Sequence, residues 1–194
     1  MKQFAVRTAI AMLCVCSVAA AARADATAGV QSKIDGALKR AKSFVVTTQF
    51  PAQAYASTLV FVAPDRSRLA VAIYANTTDV IVIGRTSYSS KNGAPFEKAA
   101  IPPDPNAVTA PLGSVKVAAL HSDVTIEGVA YGAFDTTLPL GTPVTVTCAY
   151  DKKSYRLARC VNDDVTRTYA GYDDPQNVVD PPKDFVEIPK DGKQ

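Results

Sequence analysis

A run of short apolar segments between Phe44 and Lys98 constrains this chain more than any other feature. Apolar residues alternate or cluster there as they do in β-strands, for example in TLVFVA, RLAVAIYA and TDVIVIG. Pro64-Asp65 and Asn92-Gly93 mark tight turns between such segments. The spacing predicts six strands, and short turns favour antiparallel pairing. No catalytic motif occurs in the run, which favours binding over catalysis.

The remaining segments predict an α+β domain. A helix is expected over residues 28–42, because Val30, Ile34, Leu38 and Ala41 recur at helical spacing. A Pro-rich loop is expected over 99–114, and residues 115–120 fit either a helical turn or a strand. Five further strands are predicted at 123–127, 129–137, 143–150, 154–162 and 164–171. Several strands are apolar on both faces, so the sheet needs cover on both sides or must curve around its contents.

The first residues are typical of a secretory signal peptide. Lys2 and Arg7 precede an Ala-rich apolar run, and Ala22-Arg23-Ala24 offers a cleavage site, with a second possible cut after Ala26. The apolar run is too short for a membrane span. The predicted organisation is a cleaved signal peptide at 1–24, one domain at 25–180 and a loose C-terminal tail at 181–194.

Removal of the signal peptide changes the charge balance. The full chain has 21 basic and 18 acidic residues, and Lys2, Arg7 and Arg23 lie in the segment that is removed. The mature chain is therefore close to neutral, which disfavours a broad electrostatic attraction to nucleic acid or anionic membrane. We expect an exported protein that binds no nucleic acid and does not span the membrane.

Cys148 and Cys160 are the two cysteines outside the signal peptide, and an exported compartment permits a disulfide between them. They flank a predicted turn, and a register that places Tyr150 opposite Ala158 also places Cys148 opposite Cys160. The bond would close a loop of about 13 residues and act as a structural staple. A redox or metal-binding pair is the alternative, but the C-x-x-C spacing is absent.

The sequence shows no motif for catalysis, phosphate binding or metal binding. The single histidine, His121, could act as a general base, but the sequence contains no nucleophile motif for it to activate. The acidic pairs Asp163-Asp164 and Asp173-Asp174 lack the spaced ligands of a calcium loop and are more typical of solvated turns. We therefore expect no catalytic residue, no metal and no cofactor, and predict that the protein is not an enzyme.

Three short motifs in the first half resemble those of the periplasmic LolA-like proteins: FVAPDRSRL at Phe61–Leu69, VIVIGRTSY at Val80–Tyr88, and Gly-x-x-Phe-x-Lys at Gly93–Lys98. In the second half, Val124–Thr137 and Val144–Cys160 are similar to strands of this superfamily, which includes the LppX group. The resemblance implies a strongly curved antiparallel sheet of about eleven strands, a half-barrel, with the N-terminal helix across its concave side. The family usually has a central helix where this chain is Pro-rich.

The resemblance also implies an apolar cavity that takes acyl chains. Its candidate wall residues are Ile34, Leu38, Phe44, Phe61, Ile73 and Ile83. The same side chains would equally suit a plain core in which the sheet packs against the helix. The predicted function is an exported carrier or binding protein for lipid or an acylated protein. The alternative is a protein-interaction or sensor-regulating module of the cell envelope, with a small or vestigial cavity.

Overall fold

The computed structural model describes residues 24–101, 115–140 and 142–188. The predicted signal peptide lies outside the described residues except for its last residue, and so do residues 102–114 of the Pro-rich segment. Helix α1 spans 24–40, against a predicted 28–42. Its buried stripe contains Ile34, as the helical spacing predicts, and also Ala37, which was not among the predicted residues. The amide of Ala41 donates to the carbonyl of Ala37 (3.1 Å), and the chain then enters the sheet.

In the described part of the chain, twelve strands follow the helix and form one sheet. A 3-10 turn at Pro51–Gln53 joins the first two. The strands are β1 Ser43–Phe50, β2 Tyr55–Val62, β3 Arg66–Ile73, β4 Asn76–Ile83, β5 Thr86–Lys91, β6 Phe96–Ala100, β7 Ala119–Ile126, β8 Val129–Leu140, β9 Thr142–Tyr150, β10 Leu157–Val161, β11 Thr166–Ala170 and β12 Phe185–Glu187. The predicted count of about eleven was wrong by one. The extra strand, β12, has three residues and lies in the segment assigned to a loose tail, where so short a strand leaves no alternation to recognise.

The strand order is β12-β6-β5-β4-β3-β2-β1-β11-β10-β9-β8-β7. Two meanders, β1 to β6 and β7 to β11, meet where β1 pairs with β11. Every pair is antiparallel except β12 with β6. The prediction of one helix on a large, curved and mostly antiparallel sheet is therefore confirmed. Within the described ranges, no helix is long and apolar enough to cross a membrane.

The face of the sheet that packs against α1 is called here the helix face. Strand register places Phe44, Val46 and Tyr169 together on this face. They are buried with Ile34 of the helix and Phe134 of β8 in the larger of two hydrophobic cores. The helix therefore covers mainly the half of the sheet built from β1 and β8 to β11.

The other side of the sheet is called the opposite face, and it holds a smaller core of Ile81, Tyr88 and Val179. Val179 belongs to the segment between β11 and β12, which crosses this face. Arg66 Nη1 donates to the carbonyl of Val179 (3.2 Å) and helps to hold the segment in place. This segment covers the opposite face of the first-half strands, which explains why that face is apolar too.

Cys148 and Cys160 form a disulfide across β9 and β10, as predicted. Both are fully buried on the helix face within the larger core. The predicted pairing of Tyr150 with Ala158 was wrong, because a β-bulge after Leu157 shifts the register and pairs Leu157 with Tyr150. The cysteine pair lies beyond the bulge and keeps its predicted partners.

Candidate functional site

Four of the six predicted wall residues come together on the helix side of the sheet. Ile34 and Phe44 are almost completely buried in the larger core, and Leu38 and Phe61 pack against it. The rings of Phe44 and Phe61 are stacked, with centroids 5.0 Å apart. These four residues therefore pack as a helix-to-sheet core, and their role as ligand contacts stays a prediction.

The other two predicted wall residues lie apart from these four. Ile73 is 43% exposed at the end of β3, on the helix face. Ile83 lies on the opposite face and packs against the smaller core. The sequence VIVI in β4 is apolar at every position, so alternation alone did not show which residues share a face with Phe44.

A continuous apolar surface lies on the helix face of β2, β3 and β4. Strand register places Leu59 beside Leu69, and Leu69 beside Val80. Five of these side chains are half-buried, and the sixth, Ile73, is exposed. We call this surface the apolar patch, and its members are Leu59, Leu69, Val71, Ile73, Val80 and Val82.

The apolar patch adjoins the larger core without being part of it. Leu59 packs against that core, whereas the patch residues of β3 and β4 belong to neither hydrophobic core. Apolar side chains on a sheet are normally buried against another layer. Contiguous apolar surface that remains accessible marks interaction or ligand-binding sites.

Polar residues interrupt the helix face next to the patch. Ser57, Thr48 and Arg167 lie side by side on β2, β1 and β11, and we call them the polar row. Arg167 Nε donates to Thr48 Oγ1 (3.1 Å). Sequence reasoning did not single out Arg167. Alternation in TRTYA, which places Arg167 on the same face as the buried Tyr169, was the available signal.

A cleft of about 1000 Å³ separates the first turns of α1 from residues 116–120. Gln31 closes one side of it by accepting a hydrogen bond from the amide of Val117 (2.6 Å) and donating to the carbonyl of Val115 (2.8 Å). Half of the helix residues that line the cleft are alanines, and the others are polar. A smaller groove of about 470 Å³ lies over β2 to β5, with Ala56, Ala70 and Ala72 in its lining.

His121 lies on the opposite face, away from the patch and the polar row. Its Nε2 is 2.7 Å from Asp135 Oδ2, and Thr147 Oγ1 donates to Asp135 Oδ1 (2.8 Å). The hydrogen bonds from His121 and from Thr147 lower the pKa of the Asp135 carboxyl. This arrangement orients a carboxylate on a half-exposed surface. In the part of the chain that the structure describes, no three His, Cys, Asp or Glu residues group together as a metal site would require.

The fold defines a class of proteins: those with an open, curved and mostly antiparallel sheet that carries a helix on one face. The crystal structure of the Mycobacterium tuberculosis lipoprotein LppX is similar to this chain, with a TM-score of 0.52 and 14% sequence identity. The similarity covers 76% of this chain and 96% of LppX. At this level of identity, the similarity shows a shared fold.

A conserved, uncharacterised protein from Thermus thermophilus aligns over 84% of this chain and 99% of its own length, with a TM-score of 0.44 and 9% identity. No family model matches the chain. No curated protein matches it significantly.

Proposed function

We propose that this protein is an exported carrier or binding protein for a lipid or an acylated ligand, whose acyl chain lies on the apolar patch. The observation that carries the proposal is the patch itself, a set of aliphatic side chains on the helix face that belongs, apart from Leu59, to neither core. Burial of each methylene of an acyl chain contributes about 0.8 kcal/mol, or roughly 12 kcal/mol for a C16 chain before the costs of association. Such binding needs no catalytic group.

Two further observations support export and the class of ligand. The buried disulfide between Cys148 and Cys160 is typical of proteins outside the cytoplasm. The shared fold with the lipoprotein LppX and the sequence resemblance to LolA-like proteins both agree with an envelope protein that handles acyl chains. We propose the periplasm as its location.

A matched pair of variants tests the proposal. Val71→Asp places a carboxylate in the apolar patch, where Val71 is half-buried. Ala56→Asp places the same group on the opposite face of the neighbouring strand, where Ala56 is exposed. We expect Val71→Asp to weaken binding of a fluorescent fatty acid by about tenfold or more, because the carboxylate must be desolvated under the acyl chain. Ala56→Asp should bind as the wild type does. Equal binding by both variants would exclude the patch as the acyl site.

The second candidate function is a protein-interaction module of the envelope, and the edge strand β12 favours it. Phe185, Val186 and Ile188 in and beside this strand are large hydrophobic residues exposed to solvent. Apolar edge strands can recruit a strand from another chain. Affinity capture from envelope extracts with wild type and Val186→Lys tests this candidate: a protein retained only by the wild type would favour it, and recovery of lipid without protein would argue against it.

A further inference from the structure

Arg167 occupies an unusual place for a charged residue. It lies on the helix face, beside the larger core, and is half-buried. Its neighbours in the polar row are almost completely buried, with Thr48 at 4% and Ser57 at 8% exposure. Placing a guanidinium in such surroundings costs desolvation energy unless the charge is compensated.

That charge has no acidic partner within the described residues. Three other arginines, Arg66, Arg68 and Arg156, each form an ion pair with an aspartate. For Arg167, no carboxylate lies within ion-pair distance in 24–101, 115–140 or 142–188. Its Nε donates to Thr48 Oγ1, and its guanidinium also lies close enough to the Tyr169 hydroxyl to interact with it. A guanidinium has five donors in a planar fork that matches the oxygens of carboxylate and phosphate groups.

The hydroxyl of Tyr169 lies beside this guanidinium and is a second polar group that has no acceptor among the described residues. Tyr169 is 5% exposed, and its fully buried hydroxyl donates to no acceptor within the described residues. Burial raises the pKa of this hydroxyl, and the positive charge of Arg167 and its hydrogen-bonding contact with the phenol oxygen offset part of that shift. The hydroxyl therefore stays protonated at neutral pH and keeps a proton to donate. Buried hydroxyl groups without partners are rare because they are costly.

The Thr48 hydroxyl completes the donor set. Its oxygen accepts the hydrogen bond from Arg167, so its own proton remains available. Arg167, Tyr169 and Thr48 thus present one positive charge and three kinds of hydrogen-bond donor from adjacent positions on β11 and β1. Several hydrogen-bond donors that surround one positive charge form a suitable binding site for an anion.

We propose that Arg167, Thr48 and Tyr169 bind the acidic head group, a carboxylate or a phosphate, of the ligand whose acyl chain lies on the apolar patch. This inference rests on the proposed function. Register places Tyr169 in line with Val46, Leu59 and then Leu69 of the patch. Three strand spacings, or about 14 Å, separate β11 from β3. A head group held by Arg167 thus lies within one acyl-chain length of the patch.

The test compares ligands that share a chain and differ in the head group. Dodecanoate, dodecyl phosphate and dodecanol are titrated against the protein loaded with N-phenyl-1-naphthylamine, a neutral apolar probe. We expect the wild type to bind the two acidic ligands about tenfold to a hundredfold more tightly than the alcohol, as hydrogen bonds to a charged group allow. Arg167→Gln should bind all three ligands with the affinity of the alcohol.

Arg159→Gln is the matched control. Arg159 is exposed on the opposite face of the adjacent strand β10, so this variant makes the same change in charge away from the site. It should retain the full preference for acidic ligands. Tyr169→Phe should keep the fold and the affinity for dodecanol, and should lose part of the preference for the acids.

The possible outcomes separate the head-group site from the proposed function. Binding of the alcohol with no preference for acids, or a preference that survives in Arg167→Gln, would overturn the head-group site and leave the acyl carrier standing. Failure of the probe and of all three ligands to bind would overturn both. Inorganic phosphate and acetate are tested alone, and binding of inorganic phosphate as tight as that of dodecyl phosphate would show a site for free anions and overturn the assignment to an acyl ligand.

Discussion

Loss of the Cys148–Cys160 disulfide is expected to lower the free energy of unfolding by about 3 kcal/mol through loop closure. The cysteines are 12 residues apart in sequence, and the chain-entropy relation for a loop of this size gives about 3 kcal/mol at 25 °C. Both sulfur atoms are fully buried in the larger core, so each alanine substitution also removes packing on the order of 1 kcal/mol. A single cysteine-to-alanine variant should thus lose about 4 kcal/mol in total.

Urea unfolding followed by circular dichroism separates the two contributions. Cys148→Ala, Cys160→Ala and the double variant all lack the cross-link, and only the double variant loses both sulfurs. In thermal melts, the loss of about 4 kcal/mol should lower the Tm of each single variant by about 8–16 °C relative to the wild type, as expected for a chain of this size. The double variant should lose roughly 1 kcal/mol more. Single variants destabilised by less than about 1 kcal/mol would refute the loop-closure reasoning.

Three further changes probe other parts of the fold. Gly132→Ala would place a Cβ 2.4 Å from the Tyr150 ring, which is buried, so we expect the free energy of unfolding in urea to fall by about 1–3 kcal/mol. An unchanged urea midpoint would show that the ring moves aside without cost. Gln31→Ala removes both hydrogen bonds between α1 and residues 115–117 and should lower the free energy of unfolding, measured in thermal melts, by about 1–3 kcal/mol. Gln31→Glu keeps one acceptor and should lose less. Asp135→Asn should be less stable than the wild type at pH 7, because hydrogen bonds lower the folded-state pKa of the carboxyl and so stabilise the fold above the unfolded-state pKa. That difference should shrink as the pH falls below about 3.9 and through the folded-state pKa, and a difference that stays constant with pH would contradict the assignment.

Local patterns were sufficient to predict most of the sheet. Strong alternation and turn residues predicted the first-half strands, and Asn92 and Gly93 adopt the positive φ angles (51° and 73°) that an Asn-Gly turn requires. The stripe containing Ile34 identified the helix. The position of the cysteines on either side of a turn was enough to pair Cys148 with Cys160, although the bulge in β10, between the turn and this pair, changes the partner of Tyr150.

Other features depend on contacts that a single sequence does not specify. Ile83 and Val82 are neighbours in an all-apolar run, so they lie on opposite faces of β4. Only the register of β4 with β3 shows which of the two lies on the helix face. Arg167 could not be recognised as unpaired without knowing which residues surround it. The strand β12 is held by pairing with β6 and by Lys98, which forms an ion pair with Glu187 (2.9 Å), rather than by any local pattern.

Mass spectrometry of the bound lipids tests the acyl-binding account most directly. The full chain, expressed with its own N-terminal segment and purified from the periplasm without detergent, is extracted with chloroform and methanol. The account predicts an acyl-bearing species with an acidic head group in near-stoichiometric amount in wild type and Ala56→Asp, and much less of it in Val71→Asp. Protein free of lipid, together with no saturable binding of fluorescent fatty acid by the wild type, would contradict it.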